Sequence, residues 1–207
     1  MKTVLHITEA FGGGIQTALC SYARTSKNDP VKHILLARLR PKDDTGTAIQ
    51  SLFSEVKTVE GGLFTFYLAA RDAVKEFQPD VIHLHSSYAG FLGRFVPKGH
   101  AQMVYTPHCY SFERQDISPL MQRAYKRLES LALSRIDVIA GCSVRECELA
   151  LRLARHVPYI SITMRISVKV QVVAMWPTHK TRHQNNVHRS NWWWLDAYRH
   201  KKILSFY

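Results

Sequence analysis

The stretch LHITEAFGGGIQTAL, residues 5–19, decides the fold. A short apolar run rich in β-forming residues leads into three consecutive glycines, and a segment with helical spacing follows them. Glycine accepts positive φ and lets a ligand approach the main chain, and the free N–H groups at the start of a helix attract an anion. The stretch therefore predicts a strand, a phosphate-approaching loop of Gly12, Gly13 and Gly14, and a helix.

The glycine run by itself is a weak indicator. It does not match the dinucleotide fingerprint G-x-G-x-x-G, because Thr17 stands where the third glycine or alanine belongs. The sequence G-K-[ST] of a P-loop does not occur either. A tight turn that only connects the strand to the helix remains an alternative.

Five more apolar runs follow between residues 31 and 143, separated by segments with helical spacing. Two of them, DVIHLH and DVIAGCS, begin with continuous apolar residues, as strands buried on both faces do. Strands that alternate with helices predict βαβ units. Right-handed crossovers then give an α/β fold with a Rossmann-like, doubly wound and mostly parallel sheet.

Polar residues gather where the predicted strands end. His85 and Ser86 close one run, His108 follows a Thr-Pro pair at the end of another, and Ser143 closes a third, where it is also a suitable helix N-cap. The carboxyl ends of parallel strands share one edge of the sheet, and ligands bind there. We therefore predict that His85, Ser86 and Ser143 line a cleft at this edge.

His108 is the strongest single candidate for chemistry. Pro107 stiffens the turn before it, and a histidine there donates to a phosphate or sugar hydroxyl or transfers a proton near neutral pH. A histidine bonded only to loop carbonyls is the alternative. His83 and His85 share one strand face, but no third ligand is spaced for a metal, so we expect none. We interpret His83 as a core residue.

Composition separates the end of the chain from the rest. The 207 residues carry a net charge of +12, and the apolar runs are too short to span a bilayer. Four cysteines without a C-x-x-C pair indicate reduced thiols in a cytoplasmic protein. Residues 176–207 hold all four tryptophans, six of the 28 basic residues and a single acid, without helical or strand periodicity.

Four stretches occur in order within residues 1–160: HITEAFGGGIQTAL, PDVIHLHSSYAGFLGR, YTPHCYSFERQDIS and DVIAGCSVRECELA. Together they resemble the N-terminal domain of retaining glycosyltransferases of the GT-B fold, the family-four type that includes many bacterial polysaccharide enzymes. The resemblance implies two facing Rossmann-like domains, of which the N-terminal one holds the acceptor and the C-terminal one binds the sugar nucleotide. It implies that Gly12, Gly13 and Gly14 lie beside the donor diphosphate, and that His108 is catalytic, near the transferred sugar. Ser143 would lie close to the cleft.

The pattern departs from that family after residue 175. Residues 168–175, VKVQVVAM, are typical of a strand that the family continues into Gly-Arg and the donor domain, whereas here Trp176 follows. Reading the codons from Trp176 one base later begins with glycine and permits arginine next, so we hypothesise a change of reading frame after Met175. The predicted domains are residues 1–160 for the acceptor-side domain, 161–175 for an incomplete second domain and 176–207 for an aberrant, disordered tail.

The predicted function is sugar transfer from a nucleotide-sugar donor in polysaccharide synthesis, by a hexosyltransferase type of enzyme that is weakly active or inactive as this truncated chain alone. The expected partners are the nucleotide sugar, a glycan or lipid-linked acceptor and, peripherally, an anionic membrane at the inner face; no cofactor, metal or nucleic acid is expected. Two alternatives remain. One is a non-catalytic module that binds anionic ligands or a membrane surface, and the other is a fragment of a GT-B-type sugar-nucleotide epimerase, for which we see no acid/base carboxylates.

Overall fold

The computed structural model describes residues 1–39, 50–153, 159–166 and 169–175. Its strands are β1 (Lys2–Thr8), β2 (Val31–Arg38), β3 (Glu55–Val59), β4 (Val81–His85), β5 (Gln102–Thr106), β6 (Val138–Gly141), β7 (Tyr159–Ile166) and β8 (Lys169–Met175). Its helices are α1 (Gly13–Thr25), α2 (Leu63–Phe77), α3 (Ser87–Gly93), α4 (Pro119–Ala132) and α5 (Val144–Leu153), with 3-10 turns at Ser111–Glu113 and Leu133–Arg135. Of the described helices, none combines the length and the apolar character needed to cross a bilayer.

The described strands form one sheet in the order β3-β2-β1-β4-β5-β6-β7-β8. Neighbours from β3 to β7 run parallel, and β8 pairs with β7 in the antiparallel direction. The chain first builds the sheet outward from β1 to β3 and then returns to the other side of β1 with β4. This order confirms the predicted Rossmann-like, doubly wound fold, and it places the switch point between β1 and β4.

Strands β7 and β8 extend this sheet beyond β6. The pairing of β6 with β7 runs from Val138 opposite Tyr159 to Gly141 opposite Ile162. The predicted start of a second domain, residues 161–175, falls on these two strands, which here continue the same sheet. The domain boundary stays a prediction, and the predicted tail of 176–207 lies outside the described residues.

Both faces of the sheet are buried under helices. Ile34 and Leu36 of β2 belong to one apolar cluster, which includes the inner side of α2, while Leu35 and Ala37 pack with α1 in a second cluster. Successive side chains of a strand point to opposite faces, so β2 is apolar at each position from Ile34 to Ala37. Each fully buried leucine or isoleucine contributes roughly 1.5–3 kcal/mol to the free energy of unfolding. These contacts hold the sheet and helices together and so position the strand ends.

Helix α4 keeps much of its apolar stripe in solvent. The sequence places Leu120, Ala124, Leu128 and Leu131 on one stripe, yet Leu120 is 76% exposed and Leu131 is 75% exposed. A helix attached through its apolar face would bury this stripe. Glu129, buried on the same helix, attaches α4 to the body instead.

A buried charged group connects α4 to the sheet. Arg94 is fully buried, and its Nη2 lies 2.9 Å from Oε2 of Glu129. Tyr105 of β5 donates its hydroxyl proton to Oε1 of Glu129 at 3.1 Å, and the Arg94 guanidinium lies 4.3 Å from the centre of the Tyr105 ring. Each charge is therefore matched by a partner inside the protein, as burial of an ion requires.

We predict that Glu129→Gln lowers the free energy of unfolding by about 3–5 kcal/mol, because it leaves the guanidinium of Arg94 buried without an anion. Urea unfolding followed by circular dichroism measures the change. The matched control is Glu76→Gln, which removes only an exposed ion pair with Lys57 and should cost at most about 1 kcal/mol. Equal effects of the two substitutions would contradict the assignment of Arg94 and Glu129 as the group that holds α4.

Candidate functional site

The carboxyl ends of β1, β4 and β5 lie at one level of the sheet. The register places Thr8 opposite His85 and His85 opposite Thr106, so the loops after these strands leave the sheet side by side. This edge includes the switch point between β1 and β4, where doubly wound folds bind their ligands. The loops that leave it carry the glycines, Ser86 and His108, which the sequence singled out.

The glycine loop after β1 leads directly into α1. Gly12 is the N-cap of α1 in an extended conformation, and Gly13 takes φ +55°. A Cβ atom at Gly13 or Gly14 would meet no atom within 4 Å, so the space beside this loop is open. The first turn of α1 has no acidic side chain, which leaves its N–H groups and the positive end of the helix dipole to an anionic ligand.

The loop after β5 turns sharply at His108. His108 and Cys109 take φ values of +49° and +78°, a left-handed conformation that residues with a side chain rarely adopt. Such a conformation costs on the order of 1–3 kcal/mol per residue, and surrounding contacts must hold it. One of these contacts joins Nε2 of His108 to Nδ1 of His85 at 3.1 Å. The other comes from Glu146.

The carboxylate of Glu146 joins the loops after β5 and β6. Its Oε1 accepts the N–H of Cys109 at 2.9 Å, and its Oε2 accepts the N–H of Cys142 at 2.7 Å. Its own N–H donates to the hydroxyl of Ser143 at 3.2 Å, which confirms Ser143 as a helix cap. Glu146 was not among the predicted site residues, although Ser143 followed three residues later by a glutamate is a capping-box pattern that marks it.

A cluster of buried histidines lies behind His108. His6 of β1 stands beside His83 because the register pairs these two residues, and His85 follows on the same face of β4. A continuous series of contacts joins six residues, which we call the histidine chain. It runs from Ser26 Oγ to His33 Nε2 (2.6 Å), His33 Nδ1 to His6 Nε2 (2.9 Å), His6 Nδ1 to His85 Nε2 (3.1 Å), His85 Nδ1 to His108 Nε2 (3.1 Å) and His108 Nδ1 to Cys142 Sγ (3.5 Å).

His83 lies beside the histidine chain and is buried, as predicted for a core histidine. Its Nε2 is 2.8 Å from the hydroxyl oxygen of Thr106 on β5. Its ring centre is 3.9 Å from the ring centre of His85. His83 thus packs the histidine chain against the next strand of the sheet.

Burial keeps these imidazoles neutral. Desolvation lowers the pKa of His33 and His108 to about 4 and the pKa of His83 to about 3. Desolvation also holds the pKa of His6 and of His85 well below the usual range, and the neighbouring histidines add to this effect. Each ring therefore offers one donor and one acceptor nitrogen at neutral pH.

The structure places the predicted cleft residues in different surroundings. His85 is fully buried, and its ring nitrogens face His6 and His108 rather than open space. Ser86 takes φ +75° with its hydroxyl oxygen buried, and Ser143 caps α5. The geometry gives His85 a supporting position behind His108, while the acceptor-binding roles of the three residues stay predictions.

Three of the histidines have a spacing that suits a metal ion. One ring nitrogen from each of His6, His83 and His85 lies within 4.8 Å of the others, and this is the one such group in the described part of the chain. His6 was not predicted as a third ligand because it belongs to another strand, and only the β1–β4 register brings it close. The prediction that His83 and His85 have no third ligand nearby was therefore wrong, while the expectation of no metal stays a prediction.

Residues 28–164 match the family model described as a glycosyl transferase 4-like domain. The chain belongs to this family. The match begins in the turn after α1 and runs into β7, so it includes His85, His108, Glu146 and their supporting strands. It leaves out the glycine loop, for which the argument rests on geometry.

A curated relative of this glycosyl transferase 4-like chain comes from Klebsiella pneumoniae. It is described as an uncharacterized 41.2 kDa protein in the cps region and is 30% identical over 153 residues. The matched part covers 71% of this chain and 42% of the relative. The chain therefore spans less than half the length of the curated relative.

Solved structures share the fold at low sequence identity. Sucrose-phosphate synthase from Thermosynechococcus elongatus has a TM-score of 0.59 and 14% identity, over 79% of this chain and 48% of that one. Anabaena Alr3699/HepE in complex with UDP and glucose has a TM-score of 0.60 and 12% identity, over 79% and 44%. A putative UDP-N-acetylglucosamine 2-epimerase from Listeria monocytogenes reaches 0.54 and 11%, over 79% and 45%. At these identities the likeness shows the fold alone.

We predict that Glu146→Gln releases the loops after β5 and β6, because an amide offers one acceptor oxygen where the carboxylate offers two. The loss in free energy of unfolding should be about 1–3 kcal/mol, and amide exchange at Cys109 and Cys142 should speed up, as hydrogen-exchange mass spectrometry measures. The matched control is Glu148→Gln, exposed on the same helix. If both variants exchange alike at these two amides, Glu146 does not hold the loops.

We predict that the protein loses stability as the pH falls from about 6.5 towards 4. The unfolded chain binds protons on its histidines near pH 6.5, but the folded protein leaves His33 and His108 neutral down to about pH 4. Each of the two should remove about 2 kcal/mol at pH 5. Urea unfolding at pH 7, 6 and 5 measures the slope.

The slope should decrease in His33→Gln and stay unchanged in the control His100→Gln, whose histidine is exposed. Constant stability between pH 7 and pH 5 would show that the buried histidines are not neutral in the folded protein.

Proposed function

We propose that this chain is the acceptor-side half of a GT-B glycosyltransferase that moves a hexosyl group from a nucleotide sugar to a glycan or lipid-linked acceptor. One observation carries the proposal. The chain belongs to the glycosyl transferase 4-like family, and the ends of β1, β4 and β5 lie in register at the switch point of its sheet. An open glycine loop at a helix N-terminus follows β1, and a histidine with a strained backbone follows β5.

The glycine loop suits the diphosphate that leaves in such a reaction. Cleavage of the bond to the sugar leaves negative charge on the diphosphate, and fixed N–H dipoles stabilise it without having to reorient. The start of α1 supplies such dipoles, and the open space at Gly13 and Gly14 admits a phosphate oxygen. In this proposal the loop needs no metal or other cofactor, because helix N–H groups and basic side chains of a second domain carry the charge.

His108 suits the sugar side of the same reaction. Its ring is neutral at pH 7, because burial lowers its pKa to about 4, so it offers a hydrogen bond and not a cation. Its strained backbone is held from two sides, by His85 and through Cys109 by Glu146. A catalytic or binding side chain must be held to well under an ångström, and these two contacts support such positioning.

The proposal extends to the whole protein and its setting. The chain covers 42% of its curated relative, and in the GT-B resemblance the donor-binding residues belong to the second domain. We therefore propose that this chain alone has weak or no turnover. The relative's description as a protein in a cps region supports polysaccharide synthesis as the process. A cytoplasmic location, at the inner face of an anionic membrane, fits the positive net charge of +12.

The epimerase alternative has a structural neighbour but less support. The fold likeness to an epimerase is close to that of the transferases, so it does not separate the two. Epimerisation needs carboxylates that act as acid and base, whereas Glu146 and Glu9, near the strand ends, are engaged with backbone N–H groups and with Arg38. The family match to a glycosyl transferase domain favours transfer.

We predict that Gly14→Ala weakens UDP binding at least tenfold, since its methyl group occupies the open space and one charge-assisted hydrogen bond contributes roughly 1.5–3 kcal/mol. Amide NMR spectra of the chain during a UDP titration should show shifts at Gly13, Gly14 and Ile15. The matched control is Gly62→Ala, at the start of α2, where a Cβ likewise meets no atom within 4 Å. It should bind UDP like the unchanged protein.

Two outcomes of this titration would contradict the proposal. Shifts that spread over the basic surface and disappear with added salt would favour the non-catalytic anion-binding module. Shifts confined to other loops would remove the glycine loop from the site.

A further inference from the structure

The histidine chain has a definite hydrogen-bond direction at its Ser26 end. The hydroxyl of Ser26 donates to the carbonyl oxygen of Tyr22 at 2.6 Å. A hydroxyl has one proton, so at its 2.6 Å contact with His33 it must accept. His33 therefore carries its proton on Nε2, and its Nδ1 is an acceptor.

The same direction passes through each following ring, because a neutral imidazole has one donor and one acceptor nitrogen. Nδ1 of His33 accepts from Nε2 of His6, and Nδ1 of His6 accepts from Nε2 of His85. Nδ1 of His85 in turn accepts from Nε2 of His108. All four rings are then in the Nε2–H form, and Nδ1 of His108 is left as an acceptor.

The opposite end agrees with this direction. Cys142 faces Nδ1 of His108 at 3.5 Å. Burial, followed by the charge of Glu146, raises the pKa of the Cys142 thiol to about 12, so the thiol keeps its proton and donates it. A thiol is a weak donor, and a hydroxyl group in its place would bind the same nitrogen more strongly.

We propose that Ser26, His33, His6 and His85 are positioning residues that fix His108 in the Nε2–H form and leave its Nδ1 as an acceptor. The inference rests on the proposed function for the role that His108 then has, whereas the direction of the chain is a property of the protein alone. No net proton transfer is involved, since each proton stays on its own nitrogen.

Nitrogen-15 NMR of the chain labelled on its histidine rings tests the direction. His6, His33, His85 and His108 should each show the Nε2–H form in roughly tenfold or greater excess, with imidazole N–H protons that exchange slowly with water. The Nδ1–H form on any of the four, or rapidly exchanging protons on all of them, would overturn the inference. Loss of the N–H signal between His6 and His85 after addition of one equivalent of Zn²⁺ would also overturn the inference, because these rings would then bind a metal ion.

Ser26→Ala tests whether the end of the chain controls His108. Removing the acceptor should broaden the His33 signal and lower the excess of the Nε2–H form at His108 several-fold, although the two residues are separated by three hydrogen bonds between imidazole rings. The control is Thr25→Ala, whose hydroxyl donates to carbonyls of the same helix. An unchanged His108 in Ser26→Ala would refute the positioning role.

The two proposals fail separately. Normal UDP shifts at the glycine loop together with mixed histidine forms would refute the positioning role of the histidine chain and leave the proposed function intact. Ordered Nε2–H signals without any UDP shift at the glycine loop would refute the proposed function, and the direction of the histidine chain would stand.

Discussion

The parallel register of β1, β4 and β5 is the constraint on which the rest of the site depends. It sets Thr8, His85 and Thr106 at one level of the sheet. Two residues earlier along β1 and β4, it sets His6 beside His83. A slip of two residues that brought Val81 opposite His6 would keep the apolar pattern of β4 but move His85 away from His6. The apolar side chains on both faces hold this register, so the packing of the core and the geometry of the site are one property.

The fold was predictable from the sequence because its signals are local. Apolar runs, helical spacing and the glycine turn lie within short segments, and each described strand up to β6 follows a predicted run. The histidine chain was not predictable, because its histidines come from β1, β2, β4 and the loop after β5, its two end residues follow α1 and β6, and their contacts depend on strand order. Glu146 was readable as a capping residue, but its bonds to Cys109 and Cys142 link loops that only the folded sheet brings together.

The exposure of α4 shows a second limit of sequence reasoning. The spacing of Leu120, Leu128 and Leu131 defines an apolar stripe, but it does not say what the stripe faces. The buried ion pair of Arg94 and Glu129 lies on the buried side of the helix instead, and leaving either charge unpaired in the interior would cost about 3–5 kcal/mol. The side of α4 that is buried is therefore the one with the charged pair and not the one with the apolar stripe.

The strand ends carry polar groups at a position where an apolar core would be more stable. Because the folded protein keeps these five imidazoles neutral, it loses stability as the pH falls below about 6.5 and the unfolded chain binds protons, and positive φ at His108 and Cys109 adds strain. Hydrogen bonds from ring to ring offset the desolvation only if each nitrogen keeps its assigned role. A protein that needed only to fold would fill this space with leucine and valine, as it does one layer deeper in the sheet. These destabilising histidines and the strained backbone are concentrated at the switch point, beside the open start of α1. Their concentration at that one place indicates that they are there for function.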